Sequence, residues 1–332
     1  MIWTLMLLAC GQDKNTGGDT AAGEGEGEGE VSLSPTELQE AVDGDAISAD
    51  LSFIAKERVP GSAHWQAVQD LCADRLSELG FTVALHTYST GVNVVGTLPG
   101  ATQPERAVLI SAHYDSVPDC AGADDNGSGV AALLESARVL ALSAHDLSLI
   151  VACWDQEEDG LIGSAAWVAE EAPSAPEPVA VYVYETIGYA SSEPDSQSIP
   201  AGFDLVFPET AAQLEANEYR GDFLFYASDE RNPAPADALL EAASEVGLTV
   251  FGARLDDELK VSRAASPLRR SDHASFWDVD LPGLFLTDTA DYRNDGYHCY
   301  ESEDTIERLD MEFIRKNTAA TVGAAARMLI AP

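Results

Sequence analysis

From Val108 to Leu140 the chain reads VLISAHYDSVPDCAGADDNGSGVAALLESARVL: an apolar run stops at a histidine, crosses an acidic loop, and resumes as a helix after Gly-Ser-Gly. No other stretch limits the fold so much. Ala107 to Ala112 is short and almost wholly apolar, the pattern of a strand covered on both faces, which belongs to parallel sheets layered with helices. His113 therefore falls at the carboxyl end of a buried strand, where open α/β sheets gather their reactive groups. Asp115, two residues on, is placed to accept the second ring N–H and fix the tautomer that leaves the other nitrogen free for a metal. Asp124, Asp125 and Asn126 precede Gly127-Ser128-Gly129, small residues that let the backbone approach a site closely before a helix from about Val130. Taken alone, the stretch fits a metal site and an aspartate-capped surface turn equally well.

Two later stretches separate these readings. After the strand Leu149 to Trp154 comes DQEEDGLIGS, with Glu157 and Glu158 adjacent at a strand end. Packing gives no reason for two carboxylates there. Chemistry does, if one binds a metal while the other stays off it as general base to a metal-activated water. The strand Pro178 to Tyr184 runs into Glu185, and His298 lies in GYHCY near the C-terminus. His113, Asp125, Glu158, Glu185 and His298 are thus candidate ligands at strand ends or in loops, and two imidazoles with three carboxylates suit zinc. One carboxylate bridging two ions would give each of them three protein ligands.

At these residues the sequence resembles the co-catalytic dizinc exopeptidases of peptidase clan MH, which include secreted bacterial leucyl aminopeptidases and membrane glutamate carboxypeptidases. The resemblance runs through RVPGS (Arg58 to Ser62), NVVGTLPG (Asn93 to Gly100), the organising stretch, EEDGLIGS (Glu157 to Ser164), SDHASF (Ser271 to Phe276) and YHCYESEDTIERL. It implies two zinc ions about 3.5 to 4 Å apart, bridged by Asp125. His113 and Glu185 would complete one site, and Glu158 and His298 the other. It further implies Glu157 as general base, Tyr297 as a donor to the developing oxyanion, and a cis peptide between Asp125 and Asn126. The family's aminopeptidases usually carry aspartate where this chain has Glu185.

The function so implied is hydrolysis of N-terminal residues from peptides. A carboxypeptidase of the same family is one alternative. A glutaminyl cyclase, with a single zinc, is another, although cyclases typically replace the Asn126 to Gly129 pattern and carry tryptophan where Tyr297 stands. A binding module with a decayed site is a third, against which every ligand position keeps a metal-competent side chain. With 18 basic and 57 acidic residues, a net charge of −39, the chain is unsuited to nucleic acid, whose phosphates need neutralising.

Strands alternating with helices predict an α/β fold, a single domain with a mostly parallel twisted sheet flanked by helices. The first strand pair is Phe81 to Tyr88 with Val92 to Leu98. Helices are expected from Ser34-Pro35 through Val42, from Ala63 to Leu79, from Ser128 to Ala141, from Gly163 to Glu171, from Pro235 to Val246 and from Thr305 to Ile330. Further strands are expected at Asp222 to Ala227, Leu248 to Phe251 and Leu281 to Thr287. Tyr189 to Asn232 reads as an excursion over the site. Residues 1–9 resemble a bacterial lipoprotein signal, residues 10–33 an acidic Gly/Glu-rich tether, and residues 34–332 the catalytic domain. In that reading Cys10 is lipidated and is the sole membrane attachment of a protein exported to the cell envelope; a plain secretory signal is the alternative. Cys72 and Cys153 belong to the core, whereas Cys120 and Cys299 flank proposed ligands and either bridge two loops or remain free thiols. His273 is expected to pack or hydrogen-bond rather than ligate, Arg270 is a candidate to orient a carboxylate, and His64, His86 and His145 have no acidic partner at a telling spacing.

Overall fold

The structure is a computed structural model that describes residues 32–330. The signal, Cys10 and the tether up to residue 31 lie outside the described residues. Leu33, placed with the tether in the sequence, belongs to the folded domain: it packs on the core and its N–H donates to Ser143 Oγ at 3.0 Å.

Eight strands form one sheet: β1 Thr82–Thr87, β2 Val92–Leu98, β3 Gln103–His113, β4 Leu147–Trp154, β5 Glu177–Glu185, β6 Leu224–Asp229, β7 Val250–Leu255 and β8 Gly283–Thr287. Their spatial order is β1-β2-β4-β3-β5-β8-β6-β7. The centre, β4-β3-β5-β8, is parallel, so those four strands end on one side of the sheet. Hairpin β1-β2 meets β4 antiparallel at one margin, and β6, antiparallel to β8, carries β7 at the other.

The central strands are buried along most of their length because both faces are covered. Every residue of β4 is buried. On β3 the faces alternate: Val108, Ile110 and Ala112 join the larger core with Val130, Leu134 and Ile314, whereas Ala107 and Leu109 join Trp154, Trp167 and Phe276 opposite. The helices are α1 Pro35–Glu40, α2 Gly44–Ile54, α3 Ala63–Glu78, α4 Gly129–Leu140, α5 Ile162–Glu170, α6 Phe203–Val206, α7 Pro208–Ala216, α8 Ala234–Glu245, α9 Asp257–Lys260, α10 His273–Trp277 and α11 Met311–Met328. Among the described residues no helix is long and apolar enough to cross a membrane.

Several expectations need correction. The first helix ends at Glu40, and a second, α2, follows at once because Asp43 caps it, its side chain accepting the Asp45 N–H. The closing helix starts at Met311, where Asp310 accepts the N–H groups of Glu312 and Phe313; a short turn over Ile306–Arg308 stands where helix was expected from Thr305. The excursion after Tyr189 contains α6 and α7, whose Phe203 and Leu214 join a second apolar cluster with Phe225 and Phe285. His86 does have an acidic partner, Glu170 Oε2 at 3.1 Å, supplied by α5 from across the sheet margin.

Candidate metal centre

The four parallel strands deliver the site. His113 is the last residue of β3, Glu185 the last of β5, Glu157 and Glu158 follow β4, and the loop after β8 leads to Tyr297 and His298. Asp125 comes from a wide helical turn, Ala123–Ser128, that precedes α4, and its peptide bond to Asn126 is cis. These seven residues therefore meet at the carboxyl end of the sheet, and Asp115, two residues past the end of β3, joins them.

The Asp125 carboxylate stands between the two histidines. Its Oδ1 lies 3.2 Å from His113 Nε2, and its Oδ2 lies 3.1 Å from His298 Nε2. Glu185 Oε2 is 3.3 Å from His113 Nε2, and Glu158 Oε2 is 3.2 Å from His298 Nε2. Ligand atoms of His113, Asp125 and Glu158 lie within 4.8 Å of one another, as do those of His113, Glu157 and Glu185. Glu157 is thus within reach of His113 and Glu185.

These donors fit a divalent metal. His113 Nε2, both Asp125 oxygens, Glu158 Oε1 and His298 Nε2 are buried and have no hydrogen-bond partner among the described residues. Buried polar atoms are rarely left so. Their lone pairs converge, and the charge balance agrees. Burial holds the Glu157 carboxyl well above the usual range, with Glu185, Asp272 and Glu158 adding to the rise against His113. Burial also raises Glu158, to about 7, with Asp125 adding to it. Burial raises Glu185 in the same way. Burial opposes charge on His298, yet its contacts with Asp125 and Glu158 raise it to about 11. Crowded carboxylates thus hold protons that a bound cation would displace.

A frame of polar contacts holds the donors. Asp115 Oδ1 lies 3.3 Å from His113 Nδ1. The same carboxylate accepts the backbone N–H of Glu157 at 3.1 Å and of Glu158 at 3.2 Å. Ser271 Oγ donates to Glu185 Oε2 at 2.8 Å. Asn126 Nδ2 donates to the Tyr184 carbonyl at 2.8 Å, and a Cβ on Gly129 would run into this amide. A disulfide joins Cys120 to Cys299, tying the loop before Asp125 to the residue after His298.

Two members of this frame were missed in the sequence. Asp304 accepts the N–H of Asp124 at 2.9 Å and of Asp125 at 3.0 Å. Arg58, wholly buried, donates to the carbonyls of Tyr114, Ile54, Lys56, Ala121 and Gly122 at 2.8 to 3.0 Å. Both lie inside motifs that resemble the family, but their partners are backbone groups that leave no mark on a sequence.

Beside Glu185 and Tyr297 opens a cavity of about 60 Å³ whose walls are largely apolar, among them Ile199, Phe203, Leu214, Phe225 and Phe285. The Tyr297 ring stacks on His298 with centroids 3.9 Å apart. Arg270 also lines this cavity, and the carboxylate it orients is that of Asp291, whose Oδ1 lies at 2.7 Å. His273 donates to or accepts no ligand: its Nε2 meets the Leu268 carbonyl at 2.7 Å, its ring stacks on Phe285, and burial lowers it to about 3.

The profile of peptidase family M28 matches residues 93–325. An uncharacterized protein of Escherichia coli, YfbL, is 30% identical over 236 residues, which is 66% of this chain and 66% of that protein. An aminopeptidase of Pseudomonas aeruginosa is 40% identical over 139 residues, 36% of this chain and 26% of that protein. The chain thus spans about two thirds of one curated relative and about a quarter of the other. Among solved structures, the LapA aminopeptidase of Legionella pneumophila superposes with a TM-score of 0.69 at 17% identity, covering 89% of this chain and 74% of that one, a likeness of fold.

Proposed function

We propose that this chain, which belongs to peptidase family M28, is a zinc-dependent aminopeptidase releasing N-terminal residues with apolar side chains. One observation carries the proposal: an apolar pocket opens beside Glu185 and Tyr297, next to the converging donors. The pocket suits a hydrocarbon side chain. The surrounding carboxylates suit the ammonium of a free amino end. A carboxypeptidase would need a cation for the terminal carboxylate, and Arg270 in the pocket lining is already paired with Asp291.

Zinc bound at this centre supplies Lewis acidity to the scissile carbonyl and makes water more acidic. In this reading Asp125 offers one oxygen to each half of the centre, with His113 and Glu185 on one side and Glu158 and His298 on the other. Asp115 holds the His113 ring. Glu157 takes a proton from the attacking water and delivers it to the departing amine. Tyr297 donates its phenolic hydrogen to the oxyanion as it forms. The Cys120–Cys299 bridge favours work in an oxidising compartment, in line with export and a lipid on Cys10.

The test is a panel of peptides with free and acetylated amino ends, together with metal analysis. The purified chain should bind two zinc ions, release leucine or phenylalanine from free ends, and leave acetylated peptides intact. Glu157→Gln should keep the zinc while turnover falls at least about 100-fold. Release of C-terminal residues from acetylated peptides would establish a carboxypeptidase instead. Pyroglutamate formation with one zinc per chain would establish a cyclase.

A further inference from the structure

The two histidines of the centre are each followed, two residues on, by a side chain that meets the ring nitrogen turned away from the centre. In His113-Tyr114-Asp115 that partner is a carboxylate with no exposure, its Oδ1 3.3 Å from Nδ1. In His298-Cys299-Tyr300 it is a phenol, with Tyr300 Oη 3.1 Å from His298 Nδ1. The tyrosine ring meets the imidazole edge-on, with centroids 5.2 Å apart. Its surroundings differ as much as its chemistry. Tyr300 is 79% exposed, and the His298 side chain is 17% exposed where that of His113 is fully buried.

His298 also lacks a strand to hold it. It sits in a three-residue turn with φ of 54°, and Cys299 after it, at φ 57°, is anchored to Cys120. The disulfide fixes where the backbone lies. It does not fix the rotation of the imidazole. Tyr297 stacks on the ring face, a contact that resists tilting. On the side of the centre, Nε2 faces Asp125 and Glu158; on the outer side, the constraint is the hydroxyl at Nδ1. With Nδ1–H donating to the phenol oxygen, Nε2 keeps its lone pair for the space shared with Asp125 and Glu158.

We propose that Tyr300 is a positioning residue for His298, and that its exposed phenol, standing where the buried Asp115 carboxylate stands at His113, makes the Glu158/His298 half of the centre the weaker and more exchangeable cation site. A neutral oxygen is a poorer acceptor than a carboxylate, so it raises the basicity of its imidazole less. Water also competes for it, because the tyrosine lies on the surface. The inference rests on the metal-centre reading above.

The test titrates the metal-free full chain with zinc against a chromophoric chelator, and separately with cobalt(II), following its visible absorption. Wild type should take up two ions of unequal affinity. Tyr300→Phe keeps the ring and its edge contact and removes only the hydroxyl. It should weaken the looser ion about 10-fold and change the absorption of the second cobalt to enter, leaving the tighter ion as it was. Thermal unfolding of the metal-free variant, at an exposed position, should match wild type. Equal zinc affinities in Tyr300→Phe and wild type overturn the proposal, as does a loss shared by both ions. A wild-type chain that takes up fewer than two ions overturns the two-ion centre, and this inference with it.

Discussion

Asp115→Asn is the most informative single substitution, because one carboxylate serves three partners at once. Its Oδ1 faces both His113 Nδ1 and the Glu157 N–H, and its Oδ2 accepts the Glu158 N–H. An amide of the same shape best keeps its oxygen at the doubly used position, which turns its NH₂ toward the Glu158 N–H, donor against donor. That loses a charge-assisted bond worth about 1.5 to 3 kcal/mol and weakens the other two contacts. The site opposes this loss, since Glu157, Glu158 and Glu185 already crowd the centre with buried negative charge, and one charge fewer relieves them. In metal-free protein the two effects partly cancel, and the net destabilisation should be about 1 to 2 kcal/mol. With zinc bound the relief vanishes, because the cations already neutralise the carboxylates, while the loss at His113 remains. Zinc affinity should then fall 10- to 100-fold, about 1.4 to 2.7 kcal/mol. The assay is chelator competition for affinity and urea unfolding with and without zinc. Zinc affinity within about threefold of wild type would refute the reasoning, and so would a larger stability loss without zinc than with it.

Three further outcomes are expected. Arg58→Lys should destabilise the protein by about 2 to 4 kcal/mol in urea unfolding, because a compact ammonium with three donors replaces a planar five-donor fork that spans five buried or half-buried carbonyls; a change below about 1 kcal/mol would count against it. His273 has its ring held neutral to about 3 in the fold against an ordinary 6.5, so between those values the unfolded chain binds a proton that the folded chain refuses, and stability falls as pH falls. The slope rises to about 1.4 kcal/mol per pH unit below 6.5, so metal-free His273→Phe should lose about 1.6 kcal/mol less than wild type between pH 6.5 and 5, and equal losses would refute it. In a Cys10→Ser background, denatured protein should titrate for two thiols, Cys72 and Cys153, and for four after reduction; unchanged counts would exclude the bridge.

What could be read in the sequence follows from where the physical constraint is written. β3, β4 and β5 are apolar because they are buried on both faces, so their runs, and the charged residues that end them, stood out. Helix α2 carries Ile47, Leu51 and Ile54 at helical spacing, but Asp43-Gly44 resembles a chain break as much as a cap, and the helix was passed over. α6 and α7 are only 4 and 9 residues long, with one and three buried residues, too few for a helical period to stand out. The frame was least visible of all. Asp304 lies 179 and 180 residues from the two N–H groups it holds, and nothing local distinguishes it from a surface acid.

Glu185 shows how a departure from a family pattern can be read once geometry is added. Aspartate is usual in the family's aminopeptidases at this position, and the glutamate arm is longer by one methylene. That length must go somewhere, since the strand end is fixed by its pairing of Glu185 with Thr287. The carboxylate is held in place at Oε2, which receives the Ser271 hydroxyl at 2.8 Å and lies 3.3 Å from His113 Nε2. With both the backbone and that oxygen anchored, the extra methylene has to bow sideways, and Glu185 is part of the pocket wall. The additional carbon therefore acts on the space offered to the substrate more than on the donor set. A shorter arm at Glu185→Asp should change which aminoacyl substrates are accepted while leaving metal content nearly as it was.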